Sequence, residues 1–431
     1  MLYAVVGLLA LLLSLLAGWQ RRLDSRERAR VLAELTEAKA RGADRPVGQY
    51  PHIDPLLCLG CASCIRACPE DGVLGLANGV AHVIQKAKCI GHARCAEACP
   101  VGALTVGLGD VSSRTDLPRL TDDLETTVPG VYIAGELGGL ALIRHAVAQG
   151  VQAVESIASR GPASSNGAAD LLIVGAGPAG LAASLKATEL GLAYATIDQD
   201  DIGGTVRKYP RRKLVMTQPV DLPLHGRLRK SEYRKEHLID LWDGIIRRHD
   251  VRVRTGVKFL GATYRDGVFD AETSDGPFRT RHVVLALGRR GTPRRLGVAG
   301  EEQEHVLYQL VDAADYTGQR VLVVGGGDSA IEAATGLADQ AGNEVTLAYR
   351  KDGFFRLKSR NEQRIREYAE QGRVRVFFST HVARIGAGDV VLSCADGDRQ
   401  LRNDFVFIFA GGEPPFPLLK SVGIRFWKED A

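Results

Sequence analysis

Two cysteine-rich segments carry the residues of this 431-residue sequence whose types and spacing could do chemistry. The first, "CLGCASCIRACP", has the spacing C-x2-C-x2-C-x3-C-P, and the second, "CIGHARCAEACP", repeats that frame with one histidine in place of a cysteine. Thiolates at these spacings can converge on an inorganic cluster, whereas a disulfide framework would be spread through a small secreted domain. The sequence therefore predicts two iron–sulfur clusters, with paired zinc knuckles as the main alternative. The candidate ligands are Cys58, Cys61, Cys64, Cys68, Cys89, His92, Cys95 and Cys99.

The two segments resemble the paired runs of bacterial two-cluster ferredoxins, in which the fourth cysteine of each run binds the other run's cluster. The resemblance implies one 4Fe–4S cluster on Cys58, Cys61, Cys64 and Cys99, and a second cluster on Cys68, Cys89 and Cys95. The second cluster then holds four irons with His92 as a ligand, or three irons with His92 filling space. A neutral imidazole in place of a thiolate removes a negative charge and raises the potential of the cluster. The sequence leaves both alternatives open.

A glycine motif follows a hydrophobic strand in "LLIVGAGPAGLAASLKA". Gly175, Gly177 and Gly180 have G-x-G-x-x-G spacing, which permits a tight turn, close approach of a pyrophosphate and helix–strand packing. About twenty residues further on, Asp198 ends the next strand, where a carboxylate can bind the hydroxyls of an adenosine ribose. This segment predicts a dinucleotide-binding domain.

A second copy of the motif appears about 150 residues later, in "RVLVVGGGDSAIEAATGLA". Here Gly325, Gly327 and Ala330 occupy the three motif positions. Two such motifs indicate one flavin site and one nicotinamide site, so the fold class expected is α/β with two Rossmann-like domains, one for FAD and one for NADPH.

The residues after the next strand bear on which nicotinamide binds. The stretch "EVTLAYRKDGFFRLK" places basic residues where an NAD-specific fold would offer an acid. Arg350, Lys351 and Arg356 could bind a 2′-phosphate, which favours NADPH. The alternative is a solvated basic turn.

Residues 170–425 resemble the thioredoxin-reductase-like flavoproteins, and are closest in pattern to the bacillithiol-disulfide reductases. The matching stretches are "GGGDSAIEAA", "YRKDGFF", "VVLALGRRG", which contains Gly288, and "AGGEPP". The resemblance implies FAD in the first domain, NADPH in the second, and Gly288 among the cofactor-binding residues. Thioredoxin reductases have a C-x-x-C pair just before the NADPH domain, where this sequence reads "HVLYQLVDAADYTGQR". Without that dithiol, transfer to thioredoxin by the usual exchange chemistry is excluded.

The segment order also departs from that family, whose chains end with a "T-x-x-P-G-V-Y-A-A-G-D" strand and helix. Here the similar stretch "LETTVPGVYIAGELGGLALIRHAVAQGVQAVESIA" precedes the first glycine motif. By resemblance, Gly135 and Glu136 match the Gly-Asp pair, and Arg144 and His145 match residues that face the isoalloxazine. We interpret the segment as a circular permutation of the FAD domain or as a strand–helix pair exchanged between chains; an unrelated linker helix is the alternative. A strand at 131–135 beside 171–175 is predicted, with a helix at about 140–158.

The first eighteen residues, "MLYAVVGLLALLLSLLAG", carry no charged side chain. Arg21 and Arg22 follow, so the residues predict a single-pass membrane anchor with the remaining domains facing the cytoplasm. A cleaved signal peptide is the alternative, but no basic region precedes the apolar run. The next stretch alternates charge signs and predicts a solvated helical stalk.

The domains expected are an anchor at 1–20, a stalk at 21–47, a small α+β two-cluster ferredoxin domain at 48–110 and the permuted piece at 111–160. A linker at 161–169, the FAD domain at 170–292, the NADPH domain at 293–408 and a return segment to the FAD domain at 409–431 follow. The formal net charge of +4 gives no reason to expect nucleic-acid binding.

These features predict a membrane-anchored NADPH-linked oxidoreductase that moves electrons between NADPH, FAD and two iron–sulfur clusters. Alternatives are reduction of a low-molecular-weight disulfide, and a non-catalytic relay subunit of a membrane redox complex. The electron partner expected is a quinone, a cytochrome, a ferredoxin or a membrane redox complex, and a homodimer is possible. Hydride transfer needs no side-chain general base, so no catalytic residue is assigned.

Overall fold

The computed structural model describes residues 2–46, 48–140, 142–161, 167–289, 291–355 and 357–428. The chain forms two compact units. The first contains Met1–Gly109 with Phe355–Ser359, and the second contains Asp110–Phe354 with Arg360–Ala431. The finer domain boundaries given above stay predictions.

Short elements follow one long helix in the first unit. They are α1 (Leu2–Ala40), β1 (Tyr50–Ile53), α2 (Ser63–Ala67), β2 (Leu74–Ala77), β3 (Val80–Val83), α3 (Arg94–Glu97) and β4 (Leu104–Gly107). β1 pairs antiparallel with β4, and β2 forms a hairpin with β3. This is the α+β arrangement that the two cysteine runs predict.

The long helix α1 corrects the prediction of a solvated stalk. Val31 and Ala38 are buried on α1, and they pack with Ala77 and Ile84 of the hairpin region. Positions seven residues apart lie on one face of a helix, so an apolar stripe is present among the alternating charges. This part of α1 therefore belongs to the core of the first unit.

The predicted membrane anchor lies in the first half of α1. In the part of the chain that the structure describes, no helix contains a stretch long and apolar enough to cross a membrane.

The second unit begins with the elements around the first glycine motif. They are β5 (Val131–Ile133), α4 (Ile143–Ser159), β6 (Ala169–Val174), α5 (Pro178–Glu189), β7 (Tyr194–Asp198), β8 (Leu214–Met216), β9 (Val220–Leu222), β10 (Gly226–Leu228), β11 (Glu232–Arg234), α6 (Lys235–Arg248), β12 (Val253–Thr255), β13 (Phe259–Arg265), β14 (Val268–Thr273) and β15 (Gly276–Leu285). The main sheet has the order β12-β7-β6-β15-β14-β13, and β5 pairs with β15. Fully buried residues such as Leu171, Leu172 and Ile173 on β6 are expected of a strand covered on both faces.

The strand predicted at 131–135 is present in this sheet. Val131, Tyr132 and Ile133 pair in parallel with residues 283–285 of β15, whose other edge pairs in parallel with β6. The helix predicted after it is α4, which packs on α5. Both lie in the same chain as the glycine motif and complete its sheet there.

Burial of His282 on β15 should make stability depend on pH. Its ring lies 6.2 Å from that of Tyr132 on β5, measured between centroids. Burial, helped by the charges of Arg281 and Arg160, lowers the pKa of His282 from 6.5 to about 4. Because folding disfavours the protonated ring, the stability that neutral His282 contributes is complete above pH 6.5 and is lost as the pH falls from 6.5 to about 4.

We therefore expect the thermal midpoint of the cofactor-loaded protein to fall across that window. The fall should be shallower in His282→Asn, because that side chain does not titrate. Differential scanning fluorimetry at stepped pH measures both slopes. Parallel slopes for the two proteins would show that other groups cause the pH dependence.

The remaining elements form a second nucleotide-binding fold. They are β16 (Thr292–Pro293), β17 (Val306–Leu307), β18 (Arg320–Val324), α7 (Asp328–Ala338), β19 (Glu344–Ala348), α8 (Ser359–Glu370), β20 (Val374–Phe377), β21 (His381–Ile385), β22 (Asp389–Cys394), β23 (Gly397–Arg402), β24 (Phe405–Ile408), β25 (Gly412–Glu413) and α9 (Phe416–Ser421). A parallel sheet has the order β17-β24-β18-β19-β20, and β21, β22 and β23 form an antiparallel sheet.

After β25 the chain returns to the core of the first nucleotide-binding fold. Leu419 of α9, Ile424 and Phe426 are buried there together with Val131 of β5. The backbone N–H of Trp427 donates to the Leu117 carbonyl at 3.1 Å, so the last described residues run beside the segment that leads into β5.

Candidate functional site

Two helices, α4 and α5, begin toward the same end of the main sheet. Gly150 of α4 lies against the Ala179 carbonyl near the start of α5, and Ala153 and Val154 pack with Ala183 further along, so α4 and α5 run parallel. α5 begins at Pro178, four residues after β6, and α4 begins at Ile143, ten residues after β5. Since Gly150 of α4 lies beside the start of α5, the start of α4 lies about 10 Å beyond it along the helix axis. The N–H groups and positive dipole end of each helix are directed toward this end of the sheet, where an anionic or electron-rich ligand is stabilised.

The first glycine motif has the close contacts that its spacing predicts. A Cβ at Gly180 would overlap the Gly175 carbonyl oxygen, and a Cβ at Gly175 would overlap the Ala286 carbonyl oxygen. Gly175 also has a φ of 109°, which favours glycine. Gly177 is the N-cap of α5 and has open space at its Cβ position. This opening leaves room for a pyrophosphate next to the helix.

Asp198 lies at the end of β7 beside this turn. Its Oδ2 accepts the Ala176 N–H at 2.6 Å, and its Oδ1 accepts the Asp200 N–H at 2.8 Å. Burial raises the pKa of Asp198. Asp198 thus holds the glycine turn in addition to facing the region where a ribose would lie.

A cleft next to Asp198 adds residues that the sequence did not reveal. It is lined by Gln199, Asp200, Asp201, Gly204, Arg207, Lys208, Thr255 and Gly256. Gly204 approaches Gly177 so closely that its Cβ would lie 3.1 Å from the Gly177 Cα. These residues come from the connection between β7 and β8 and from the end of β12, and they follow no periodic pattern, so only the folded chain brings them together.

The segment that precedes the first glycine motif contributes Gly135, Glu136, Arg144 and His145 to the same end of the sheet. Gly135 has a φ of 89°, its N–H donates to Gln149 Oε1 at 2.8 Å, and its Cβ position lies against Ala179. His145, in the first turn of α4, has a buried Nε2 without a protein hydrogen-bond partner among the described residues, and burial lowers its pKa. An orphaned buried nitrogen at this helix start fits a ligand with a polar edge. Gly288 follows β15 at the same edge, with a φ of 64°.

The second glycine motif lies between β18 and α7. A Cβ at Gly325 would lie 2.6 Å from the Phe409 carbonyl oxygen, Gly327 is the N-cap of α7, and Ala330 is fully buried. Tyr349, directly after β19, packs its ring against Gly326, where any side chain would overlap it. The structure thus places an aromatic ring where an NAD-specific fold would have an acid.

Arg350 and Lys351 follow Tyr349 and are exposed at the carboxyl end of β19. The third predicted phosphate ligand, Arg356, lies outside the described residues. β19 pairs in parallel with β18, the strand that leads into the second glycine motif. Arg350 and Lys351 therefore follow the carboxyl end of the neighbouring strand, which is where a 2′-phosphate binds in this fold.

A polar network at the start of α7 was not anticipated from the sequence. Asn361 Nδ2 donates to Asp328 Oδ1 at 2.8 Å and to Glu332 Oε1 at 3.3 Å. Glu332 Oε2 accepts from Lys213 Nζ at 2.8 Å, which joins the two nucleotide-binding folds. Asp328 and Glu332 are four residues apart on one helix face, but Asn361 and Lys213 are too distant in sequence to be found by spacing.

In the first unit, the first cysteine run forms one half of the candidate cluster site. Cys58 and Cys61 lie near Cys64, and burial together with their charges raises the pKa of Cys64. The Ala81 N–H donates to Cys58 Sγ at 3.5 Å, while Cys61 is exposed. Cys99 packs in the same apolar cluster as Cys58 and Cys64.

The second site combines both runs, as the ferredoxin resemblance implies. Burial and the neighbouring Cys68 and Cys89 raise the pKa of Cys95 to about 12. A cavity is lined by these three cysteines and His92, together with Pro51, Glu70, Val73, Leu74, Ile90, Gly91, Ala93 and Val106. Within the described ranges, no three Cys, His, Asp or Glu side chains meet closely enough to hold a single metal ion. Several thiols around a cavity suit a larger iron–sulfur cluster.

The hydrogen bonds of His92 decide how its ring can act. His92 is only 4% exposed, and its Nδ1 accepts the Arg94 backbone N–H at 3.0 Å. In the first run the N–H two residues further on, that of Ser63, is directed at the Cys61 sulfur in the same way. The His92 ring is thus held by the N–H that a cysteine would otherwise receive, and its Nε2 lies 4.0 Å from Cys68 Sγ.

A fold with two dinucleotide sites on one unit and two cysteine runs on another defines a flavin- and nicotinamide-dependent oxidoreductase with an iron–sulfur domain. Comparison of the chain with known protein families supports this class. Residues 172–431 match the pyridine nucleotide-disulphide oxidoreductase family, and residues 50–100 match the 4Fe-4S dicluster domain. Because the first match covers more than half of the chain, the protein belongs to the pyridine nucleotide-disulphide oxidoreductase family.

Relatives of two kinds match the chain. Bacilliredoxin reductase Bdr of Bacillus subtilis is 25% identical over 266 residues, which are 60% of this chain and 81% of that protein. A ferredoxin–NADP reductase of Ignicoccus hospitalis is 29% identical over 264 residues, 59% of this chain and 81% of that protein. The solved bacillithiol disulfide reductase Bdr of Staphylococcus aureus has a TM-score of 0.54 at 24% identity, over 60% of this chain and 80% of that one, and shows the shared fold.

Proposed function

We propose that this oxidoreductase transfers electrons from NADPH through FAD to its two iron–sulfur clusters, and from there to a one-electron acceptor. The observation that carries the proposal is the distribution of cysteines. Seven of the eight lie in the cluster-binding segments between Cys58 and Cys99, and only Cys394 lies in the flavoprotein part. A reduced flavin with no dithiol beside it needs another electron acceptor. The iron–sulfur clusters expected in the same chain can be that acceptor.

Different residues would bind the two nucleotide cofactors. Gly175, Gly177 and Gly180 open the turn for the FAD pyrophosphate, and His145 at the start of α4 presents an orphaned nitrogen to the flavin end. Arg350 and Lys351 would hold the 2′-phosphate of NADPH. When bound, FAD accepts a hydride from NADPH and can release its electrons singly, which one-electron clusters require.

The second cluster is proposed to hold three irons, with His92 as a hydrogen-bond donor and not a ligand. Because Nδ1 accepts the Arg94 N–H, the neutral ring carries its proton on Nε2. A protonated nitrogen has no lone pair for iron, and this one lies near the Cys68 sulfur. Hydrogen bonds to cluster sulfurs raise the reduction potential, so the site would accept electrons and favour flow away from NADPH.

A circular permutation of the FAD domain is proposed to explain the segment order. β5 and α4 pack within the same chain, and the residues after α9 run beside the segment that leads into β5. In a chain with the family's order, the return segment would continue directly into that strand. Proximity of these ends is what makes such a rearrangement tolerable.

A second candidate function is reduction of a low-molecular-weight disulfide at the flavin. The names of the bacilliredoxin reductase and bacillithiol disulfide reductase relatives favour it. Against it stands Cys394 on β22, the single thiol of the flavoprotein part, whose sulfur accepts a hydrogen bond from Thr380 Oγ1 at 3.5 Å.

Anaerobic stopped-flow mixing with NADPH tests the proposal. Flavin bleaching should precede reduction of the clusters. Electron paramagnetic resonance of samples frozen at successive times monitors the cluster reduction. A Cys64→Ser variant is the control, because it should keep the bleaching and lose the later phase. Bleaching with clusters that stay oxidised until bacillithiol disulfide reoxidises the flavin would support the second candidate. No bleaching at all would indicate a relay subunit.

A further inference from the structure

A buried glutamine of the first unit lies beside the second cysteine run. Gln49 is in the connection between α1 and β1 and is only 6% exposed. Its Nε2 donates to the Gly91 carbonyl at 2.8 Å, although the two residues are 42 positions apart in sequence. A buried amide costs free energy unless it is hydrogen-bonded. Packing alone would be served by an apolar side chain of the same length, so the bond to Gly91 is the distinctive feature of this residue.

Gly91 is part of the turn that carries the second run. It is buried and has a φ of 73°, which favours glycine. A Cβ at this position would overlap the Gln49 side chain, so the glutamine packs directly on the glycine. The N–H of Gly91 donates to Cys89 Sγ at 3.4 Å. Gly91 therefore has its N–H on a candidate ligand sulfur of the second cluster and its carbonyl on Gln49.

The Gly91 carbonyl belongs to the peptide that joins Gly91 to His92. Because a peptide is planar, fixing this carbonyl fixes the direction in which the chain enters His92. The His92 ring has its Nε2 4.0 Å from Cys68 Sγ. A glycine without a partner for its carbonyl could adopt many other backbone conformations, and the two sulfur contacts of this loop would then be lost. Gln49 thus supports both contacts through one backbone carbonyl.

The matching place in the first run is supported by backbone. Gly60, which precedes Cys61 as Gly91 precedes His92, has a φ of 67°. A Cβ at Gly60 would overlap the Gly79 carbonyl oxygen. A substitution at Gln49 therefore acts on the turn of the second run, and the first cluster provides an internal reference.

We propose that Gln49 is a positioning residue that raises the reduction potential of the second cluster. The proposal rests on the function proposed above, in which that cluster accepts electrons, and it names the residue that sets how readily it does so. A reduced cluster has one more negative charge than the oxidised one, and N–H groups directed at its sulfurs stabilise that charge. By holding the Gly91 carbonyl, the Gln49 amide keeps both donors of this loop on their sulfurs.

Substitution of Gln49 in the full-length protein, loaded with FAD and both clusters, tests this role. Gln49→Met preserves the length of the side chain and removes the donor. In a mediated redox titration followed by electron paramagnetic resonance, the reduced-to-oxidised ratio of the second cluster at the wild-type midpoint should fall about fivefold, the factor that corresponds to one ordinary hydrogen bond. The iron content and the potential of the first cluster should be unchanged. Gln49→Glu should lower the ratio further, because its carboxylate adds a negative charge near the cluster.

Gln85→Met is the matched control. Gln85 lies in the same unit, and its Nε2 is directed at Gly72, in the turn before β2. The same loss of an amide should leave both cluster potentials unchanged there. The proposal is overturned by an unchanged ratio in Gln49→Met with all irons retained, by an equal fall for the two clusters, or by the same fall in Gln85→Met.

Loss of iron from the second site of Gln49→Met would leave Gln49→Glu to decide, since glutamate has the shape of glutamine. Retained iron with a lowered ratio supports the proposal, and retained iron with an unchanged ratio overturns it. Loss of iron from both variants would make Gln49 a residue needed for cluster assembly, which also overturns the proposal. Because mediators reduce the clusters without NADPH, failure of NADPH to reduce them in the wild-type protein would refute the proposed function alone.

Discussion

Changing His92 to cysteine is expected to add one iron per chain and to convert the second cluster to a four-iron form. The thiolate would take the Arg94 N–H that the imidazole now accepts and would still have lone pairs for iron, as Cys61 does in the first run. The oxidised three-iron signal in electron paramagnetic resonance should disappear. The added negative charge should lower the potential of that cluster, measured by redox titration with resonance detection.

A His92→Gln variant provides the control, because its amide can still reach toward the cavity but is a poor iron ligand. It should keep the three-iron signal and shift only the potential. If the native protein shows four irons at this site, and His92→Gln reduces them to three, then His92 is a ligand. Its Nδ1 would in that case have to release the Arg94 N–H.

Most features of the iron–sulfur part of the molecule could be predicted from its sequence. Spacing alone identified the cysteines, and the crossing of Cys68 to the second run followed from the ferredoxin resemblance. What spacing could not give was the orientation of the His92 ring, because it depends on the backbone turn at Ala93, which has a φ of 64°. The proposal that His92 is a donor and not a ligand rests on the Arg94 N–H that this turn directs at Nδ1.

In the flavoprotein part, sequence-based prediction succeeded for the glycine motifs and failed for contacts between distant segments. Glycine motifs predicted both nucleotide sites because the close approaches at Gly175 and Gly180 tolerate no side chain. The Lys213–Glu332 contact and the cleft beside Asp198 were missed because their residues come from distant loops. The apolar stripe through Val31 and Ala38 was missed for another reason, since surrounding charges hid two buried positions on a helix with a mostly polar surface.

Arg350→Ala is expected to weaken NADPH binding strongly while leaving NADH nearly unaffected. Arg350 is exposed at the carboxyl end of β19, one residue beyond the Tyr349 ring that packs on the second glycine motif. A charge-assisted hydrogen bond to a phosphate is worth about 1.5–3 kcal/mol, which corresponds to roughly a ten- to 150-fold increase in Kd. The rate of flavin bleaching as a function of NADPH and NADH concentration gives both values.

Arg402→Ala, an exposed arginine on β23 of the same fold, should leave both cofactors unchanged. Inhibition by 2′,5′-ADP but not by 5′-AMP should weaken in Arg350→Ala, because the two ligands differ only in the 2′-phosphate. An equal loss for NADPH and NADH would mean that Arg350 contacts a part common to both nucleotides. No loss for either would make residues 350–351 a solvated turn, and the preference for NADPH would then have to come from elsewhere, with the Tyr349 ring excluding the acid that selects NAD.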